Sequence, residues 1–221
     1  MKPLFFAFVV LAIAPTPAAA QTHIGSTRPA QDRPGLIAFG AYEVLNVASP
    51  KTFDAVFGTS TLQGVGGGLD VVNVWKHAFL RIAKSTASLD GERIAIAGNE
   101  VFKLGTKLTL TMTLTEVGAG WRFEARNGNR RITPYAGAAA VFLSYKETST
   151  FADAGDNVGE TFKGFGAFGG VDVKVASRIL AGAEAQYRSI NSSPSAGSAA
   201  GKFNEKNLGG AVFRVRGGVR F

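Results

Sequence analysis

From residue 36 to the end of the chain the repeated signal is a two-residue alternation of apolar with charged, polar or small residues, most legible in the second half. Ile179, Ala181, Ala183, Ala185 and Tyr187 alternate with Gly182, Glu184, Gln186 and Arg188. Phe165, Ala167, Val171, Val173 and Val175 alternate with Gly166, Gly170, Asp172 and Lys174. Near the end, Ala211, Phe213, Val215, Val219 and Phe221 alternate with Arg214, Arg216, Gly218 and Arg220. A period of two separates the faces of a β-strand, and helical spacing does not produce it. With turn residues as punctuation, the pattern predicts eight strands, near 36–45, 62–74, 78–87, 106–123, 133–148, 162–175, 179–189 and 208–221.

The connections alternate in length. Long polar or Gly-rich stretches lie at 49–61, 88–105, 149–161 and 190–207, and short turns at Trp75-Lys76-His77, Asn127-Gly128-Asn129 and Ala176-Ser177-Arg178. Hairpins joined in this order predict an all-β, eight-stranded antiparallel up-and-down barrel with short turns at one end and long loops at the other. Within the second long stretch, 93–104 is compatible with a further hairpin or a helical turn. The fourth strand carries a conflict: Leu108, Leu110, Met112 and Leu114 are even, whereas Val117, Ala119, Trp121 and Phe123 are odd, which predicts a β-bulge near Thr115. The phase of the first strand is ambiguous.

One segment echoes another: Gly67-Gly68-Leu69-Asp70-Val71 returns as Gly169-Gly170-Val171-Asp172-Val173. Repeated hairpin construction, with one inward carboxylate in each copy, accounts for it better than a catalytic carboxylate pair. The run Gly64-Val65-Gly66-Gly67-Gly68 lacks the Lys-Ser or Lys-Thr and the helix start of a phosphate loop, and fits close strand packing or sharp curvature.

Composition narrows the choice. The chain has 221 residues, 46% hydrophobic and 18% charged, too apolar for disorder, and no cysteine, which removes disulfides, thiolate nucleophiles and Cys-ligated metal sites. The net charge of +8 is scattered singly, so no basic run points to nucleic acid. The first twenty residues show a lysine, an apolar run from Leu4 to Ala14, and an Ala-rich end, the layout of a signal peptide cleaved after Ala20. Residues 21–35 follow as a flexible lead-in, and 36–221 form the barrel. No stretch is long enough for a transmembrane helix, so membrane residence would have to be by strands.

Alternation alone fits a soluble calyx equally well. Three features favour a membrane barrel. Aromatic residues fall where strands would cross the two interfaces, Trp121, Phe123, Tyr135 and Phe221 at the short-turn end and Tyr145, Phe165 and Tyr187 at the other, as a girdle. The apolar faces of the later strands are rich in Ala, Gly and Val, a thin coat suited to lipid. The chain stops on Phe221, closing an alternating strand. On these residues the segment 36–221 resembles the small eight-stranded outer-membrane barrels of bacteria, the OmpA and OmpX type, whose last strand ends in an aromatic residue. The resemblance implies residence in the cell outer membrane as a monomer, with membrane lipid and the barrel-assembly machinery as partners. It also implies that Phe213, Val215, Val219 and Phe221 form the assembly signal. No peptidoglycan-binding domain follows the barrel in this sequence.

With the apolar set outward, Asp70, Arg81, Glu116, Arg122, Asp172, Lys174, Glu184, Arg188, Arg214 and Arg216 point into the lumen, and Glu43 joins them. Eight strands enclose a space that side chains fill. Opposite charges there must pair, which predicts a structural polar network rather than an ion pathway. The lipid A deacylases and outer-membrane proteases that this architecture resembles depend on a His with Ser or Asp near the outer rim; here His23 lies in the lead-in and His77 in a short turn. The sequence therefore predicts no catalytic, metal or cofactor site and no cofactor. Asn191-Ser192-Ser193 fits an N-glycosylation acceptor only formally. The expected role is structural or surface-interacting, carried by the four long loops and an unknown extracellular ligand. A narrow passive channel is the alternative, and a lipid-modifying enzyme or protease the third possibility.

Overall fold

The computed structural model describes residues 34–97, 100–123, 131–149, 157–191, 203 and 205–221. The leader, all but the last residues of the lead-in, His23, the Asn127-Gly128-Asn129 turn and parts of the third and fourth long loops lie outside them. Eight strands follow in chain order among the described residues: β1 (Gly35–Val47), β2 (Thr61–Trp75), β3 (Ala78–Ala97), β4 (Glu100–Arg122), β5 (Ile132–Ser149), β6 (Val158–Lys174), β7 (Ile179–Asn191) and β8 (Gly210–Arg220). Each pairs antiparallel with the next, and β8 pairs back onto β1 from Ile37↔Arg220 to Val47↔Gly210. The sheet is closed and has no free edge to protect.

Three features depart from the sequence reading. The stretch 93–104 continues the β3–β4 ladder as far as Ala97↔Glu100, so this hairpin outreaches the others. The first long loop contains a helix, α1 (Pro50–Phe57), started by Pro50 at its first position and ended by Gly58 in the left-handed region at φ 71°. No bulge lies near Thr115. The β4–β5 register runs unbroken from Leu108↔Ser149 to Arg122↔Tyr135; the irregularities lie in β2 beside Asn73 (φ 58°) and in β3 between Glu92 and Ile94.

The conflict in β4 has a different cause. All its even residues from Leu108 to Arg122 face inward, and the inner face changes from apolar to charged between Leu114 and Glu116. On the outer face, polar Thr109, Thr111, Thr113 and Thr115 give way to Val117, Ala119, Trp121 and Phe123. Both faces invert polarity at one height. Below it β4 is apolar outside and charged inside; above it, polar outside and apolar inside.

On the outer wall the apolar belt of β6 runs from Val175 to Phe165, ten residues apart. At a rise of about 3.3 Å per residue and a tilt of about 40°, that climbs about 25 Å, the height of a bilayer's hydrocarbon layer as barrels cross it. Close strand approach is visible at Gly66, where an added Cβ would collide with the Lys84 carbonyl and lie 2.7 Å from the Ser85 Cβ.

Candidate functional site

The lumen is filled in two layers. In the short-turn half, among the described residues, five guanidiniums (Arg81, Arg122, Arg188, Arg214, Arg216) meet five carboxylates (Glu43, Asp70, Glu116, Asp172, Glu184), all buried. The charges cancel, and the pairs form one connected chain along the barrel axis. Arg122 Nη1 lies 2.8 Å from Asp172 Oδ2. Arg216 joins Asp172 (Nη2 to Oδ2, 2.7 Å) to Asp70 (Nη1 to Oδ2, 2.9 Å). Arg81 grips Asp70 through Nε (2.7 Å) and Glu184 through Nη1 (2.5 Å).

From Glu184 the chain passes to Arg214 Nη1 (2.8 Å). Arg214 Nη2 then reaches Glu43 (2.8 Å) and Glu116 (3.2 Å), and both carboxylates also take Arg188 (3.0 and 2.7 Å). Tyr135 Oη donates to Glu184 (2.9 Å), Gln186 Nε2 to Glu116 (3.0 Å) and Ser85 Oγ to Glu43 (2.7 Å). A buried charge without partners costs several kcal/mol, so the carboxylates' shared, charge-assisted bonds are the condition for burying this set.

The sequence echo now has a structural meaning. Asp70 lies on β2 and Asp172 on β6, four strands apart in a barrel of eight, hence on opposite staves. Arg216 spans the lumen and holds both. Aromatic rings fill the remaining space: the Arg81 guanidinium lies 4.6 Å from the Phe168 ring centroid, and that of Arg216 lies 4.6 Å from Tyr135. Room for these rings comes from missing side chains. A Cβ at Gly120 would stand 2.6 Å from Phe79, and one at Gly170 2.7 Å from the Tyr135 hydroxyl.

Above the charges lies an apolar plug. Leu45, Leu62, Leu110, Met112, Leu114, Val141, Leu143, Tyr145, Ile190 and Val212 pack together, all buried, and Phe53 of α1 descends into them from the mouth. Val56 continues the helix's buried face onto Ile94 and Leu108. Helix α1 is held by the fourth long loop: Glu205 accepts the Lys51 and Thr52 N–H groups (3.1 and 2.8 Å), and Ser49 Oγ donates to the Asn207 carbonyl (2.5 Å). Ser49 makes no side-chain cap of its own, so an acidic residue from a distant loop caps the helix. Replacing Glu205 with Ala should cost about 1 kcal/mol and speed amide exchange across 50–57. Unchanged exchange would mean that Phe53 and Val56 hold the helix by packing alone.

Three expected placements are corrected. Tyr135 and Tyr145 are not girdle residues; both face inward, because odd positions of β5 line the lumen. Tyr135 bonds Glu184, and Tyr145 Oη donates to Glu147. The run 135–143 is apolar in both phases, since the upper lumen is apolar too, so alternation could not orient it. Lys174 shares the inward phase of Asp172 but lies exposed at the short-turn mouth, where water solvates it, outside the ion-pair chain.

On the outer wall, Trp121, Phe123 and Phe221 stand at the short-turn end and Phe165 and Tyr187 at the upper rim of the belt. Trp75, exposed and edge-on to Trp121 at 6.0 Å, joins the lower ring, and Tyr42 faces outward on β1. Phe213, Val215, Val219 and Phe221 are all exposed on the outer face of β8. His77 packs against Trp121 at 5.9 Å, at the opposite end from α1.

A closed eight-stranded up-and-down barrel with short turns at one end, long loops at the other, an apolar outer belt and an ion-paired lumen has the architecture of the small outer-membrane barrels. Among solved structures the chain is similar to the N-terminal β-barrel domain of Pseudomonas aeruginosa OprF, with a TM-score of 0.50 and 10% identity over 84% of this chain and 97% of that one. Ail, the attachment invasion locus protein of Yersinia pestis, in complex with the heparin analogue sucrose octasulfate, gives a TM-score of 0.48 at 10% identity over 85% and 97%. A major outer membrane protein from Thermus thermophilus gives 0.48 at 8% over 84% and 99%. No family model and no curated protein matches the sequence.

Proposed function

We propose that this protein is a monomeric resident of the bacterial outer membrane that passes no solute and works through the surface presented by its long-loop end. The observation that carries this reading is the double seal of the lumen: a charge-neutral ion-pair chain below and an apolar plug closed by α1 above. An ion entering would have to displace a guanidinium from its carboxylates and then cross an apolar layer, each step costing several kcal/mol.

The outer belt, about 25 Å high and edged by aromatic residues, supports membrane residence, with lipid as its solvent. The outward row Phe213, Val215, Val219 and Phe221 on β8 supports recognition by the barrel-assembly machinery. A non-enzymatic role is supported by the placement of His77, the one histidine among the described residues, at the short-turn end against Trp121. The surface that remains for function is built from α1, the projecting β3–β4 hairpin and the fourth long loop, and it takes an extracellular ligand. The tip of that hairpin exposes Val101, Phe102 and Leu104, apolar side chains suited to a partner surface.

The test is conductance. Protein refolded into planar bilayers is expected to give no sustained single-channel steps. Reproducible steps from the wild type, altered by Arg216→Gln without loss of folding, would replace this reading with a channel.

A further inference from the structure

We propose that the outer wall of β3–β6, just above the apolar belt, binds the phosphates of a lipid headgroup in the outer leaflet. This rests on the membrane placement proposed above. Three rows of outward side chains run across these strands in register. The lowest is Lys84, Thr115, Phe142 and Lys163; the next is Thr86, Thr113, Ser144 and Thr161; the third is Ser88, Thr111 and Lys146. Eight of these eleven residues line a groove of about 420 Å³, Lys84, Lys146 and the Phe142 ring among them with five hydroxyl side chains, and Lys163 stands beside it. No carboxylate occurs in the three rows; the next acid up, Asp90, is engaged by Thr109 Oγ1 at 2.8 Å.

Position and chemistry agree. The row directly below is Ile82, Val117, Ala140 and Phe165, wholly apolar, so the groove begins where acyl chains end and phosphates start. Lysines keep their stems along the apolar wall and raise the ammonium to that level. The Thr86 and Thr113 hydroxyls hydrogen-bond each other at 3.3 Å, which leaves one hydroxyl hydrogen of the pair to donate to a phosphate oxygen.

The sector is also asymmetric. The first polar outward residue above the belt is Asn46 on β1, Gln63 on β2 and Ser189 on β7, all uncharged, whereas it is Lys84 on β3 and Lys163 on β6. Lysines that served only to anchor the barrel at an interface would be spread around it. Here they are gathered on one side, over strands that lack acidic neighbours at that level.

The protein, inserted in phosphatidylcholine vesicles doped with a bis-phosphorylated glycolipid or its dephosphorylated form, tests this. Lipid retained after detergent extraction is counted by native mass spectrometry. The wild type should retain the phosphorylated form selectively. The triple change Lys84→Gln, Lys146→Gln and Lys163→Gln should lower that affinity about tenfold or more. Arginine at the same three positions should preserve it, with folding followed for every variant by heat-dependent gel mobility.

Equal retention of the two lipids by the wild type, or undiminished retention by a folded glutamine variant, would overturn the proposal. Displacement of the lipid by inorganic phosphate alone would overturn the commitment to a lipid. Flotation with undoped phosphatidylcholine vesicles reads membrane insertion separately. Failure there would remove the membrane placement itself.

Discussion

Glu184→Gln is expected to destabilise the barrel by about 3 to 5 kcal/mol, because it removes the carboxylate that joins the lower and upper halves of the ion-pair chain. Glu184 takes Arg81 at 2.5 Å, Arg214 at 2.8 Å and the Tyr135 hydroxyl at 2.9 Å, and it is 1% exposed. Glutamine keeps the volume but leaves five guanidiniums facing four carboxylates, all of them buried away from bulk solvent. The residual attachment of Arg81 to Asp70 and of Arg214 to Glu43 and Glu116 keeps the loss toward the lower end of that range. Adding Arg214→Gln restores neutrality, so the double variant should lose less than the sum of the single changes. Urea titration of vesicle-inserted protein measures both. A single-variant loss below about 1 kcal/mol would mean a hydrated lumen and would undo the double seal.

The second large effect lies on the opposite face of the same strand. Ala183→Arg is expected to cost about 2 to 4 kcal/mol, the penalty of a charge on the lipid side near mid-bilayer. Ala183 faces outward between Val171 on β6 and Val215 on β8, well inside the apolar belt. The comparison is Thr113→Arg, also outward but above the belt, which should change stability by no more than about 0.5 kcal/mol. Gly182, the inward neighbour, cannot serve as the control, since even a Cβ there would lie 2.5 Å from Asp172 Oδ1. Equal stability of the two arginine variants would mean that the belt does not face lipid, and a water-soluble barrel would take its place.

Much of this barrel is legible in one dimension. Strand alternation and the order of long and short connections determine the eight-stranded antiparallel barrel, and the inward phase of β7 and β8 already marks Glu184, Arg188, Arg214 and Arg216 as lumen residues. Helix α1 left a weaker trace: Pro50 and Gly58 bracket Phe53, Val56 and Phe57, which have the i, i+3, i+4 spacing of one helical face. Within eight residues of a long loop, that spacing is too short to separate from chance.

What the sequence determined is which residues share a face, because the period of two is a local property of an extended backbone. Which face is which at a given height was decided only by tertiary structure. In β4 the same even positions are apolar above Glu116 and charged below it; in β5 both phases are apolar from Tyr135 to Leu143, so no local rule orients Tyr135, and at Tyr145 the apolar phase faces the lumen instead of lipid. Closure of the sheet sets the answer. It brings β2 and β6 to opposite staves around Arg216, places Glu184 between two arginines, and lets Glu205 cap a helix more than 140 residues away in sequence. Partners for buried charge come from distant strands, and the chain acquires them only when β8 meets β1.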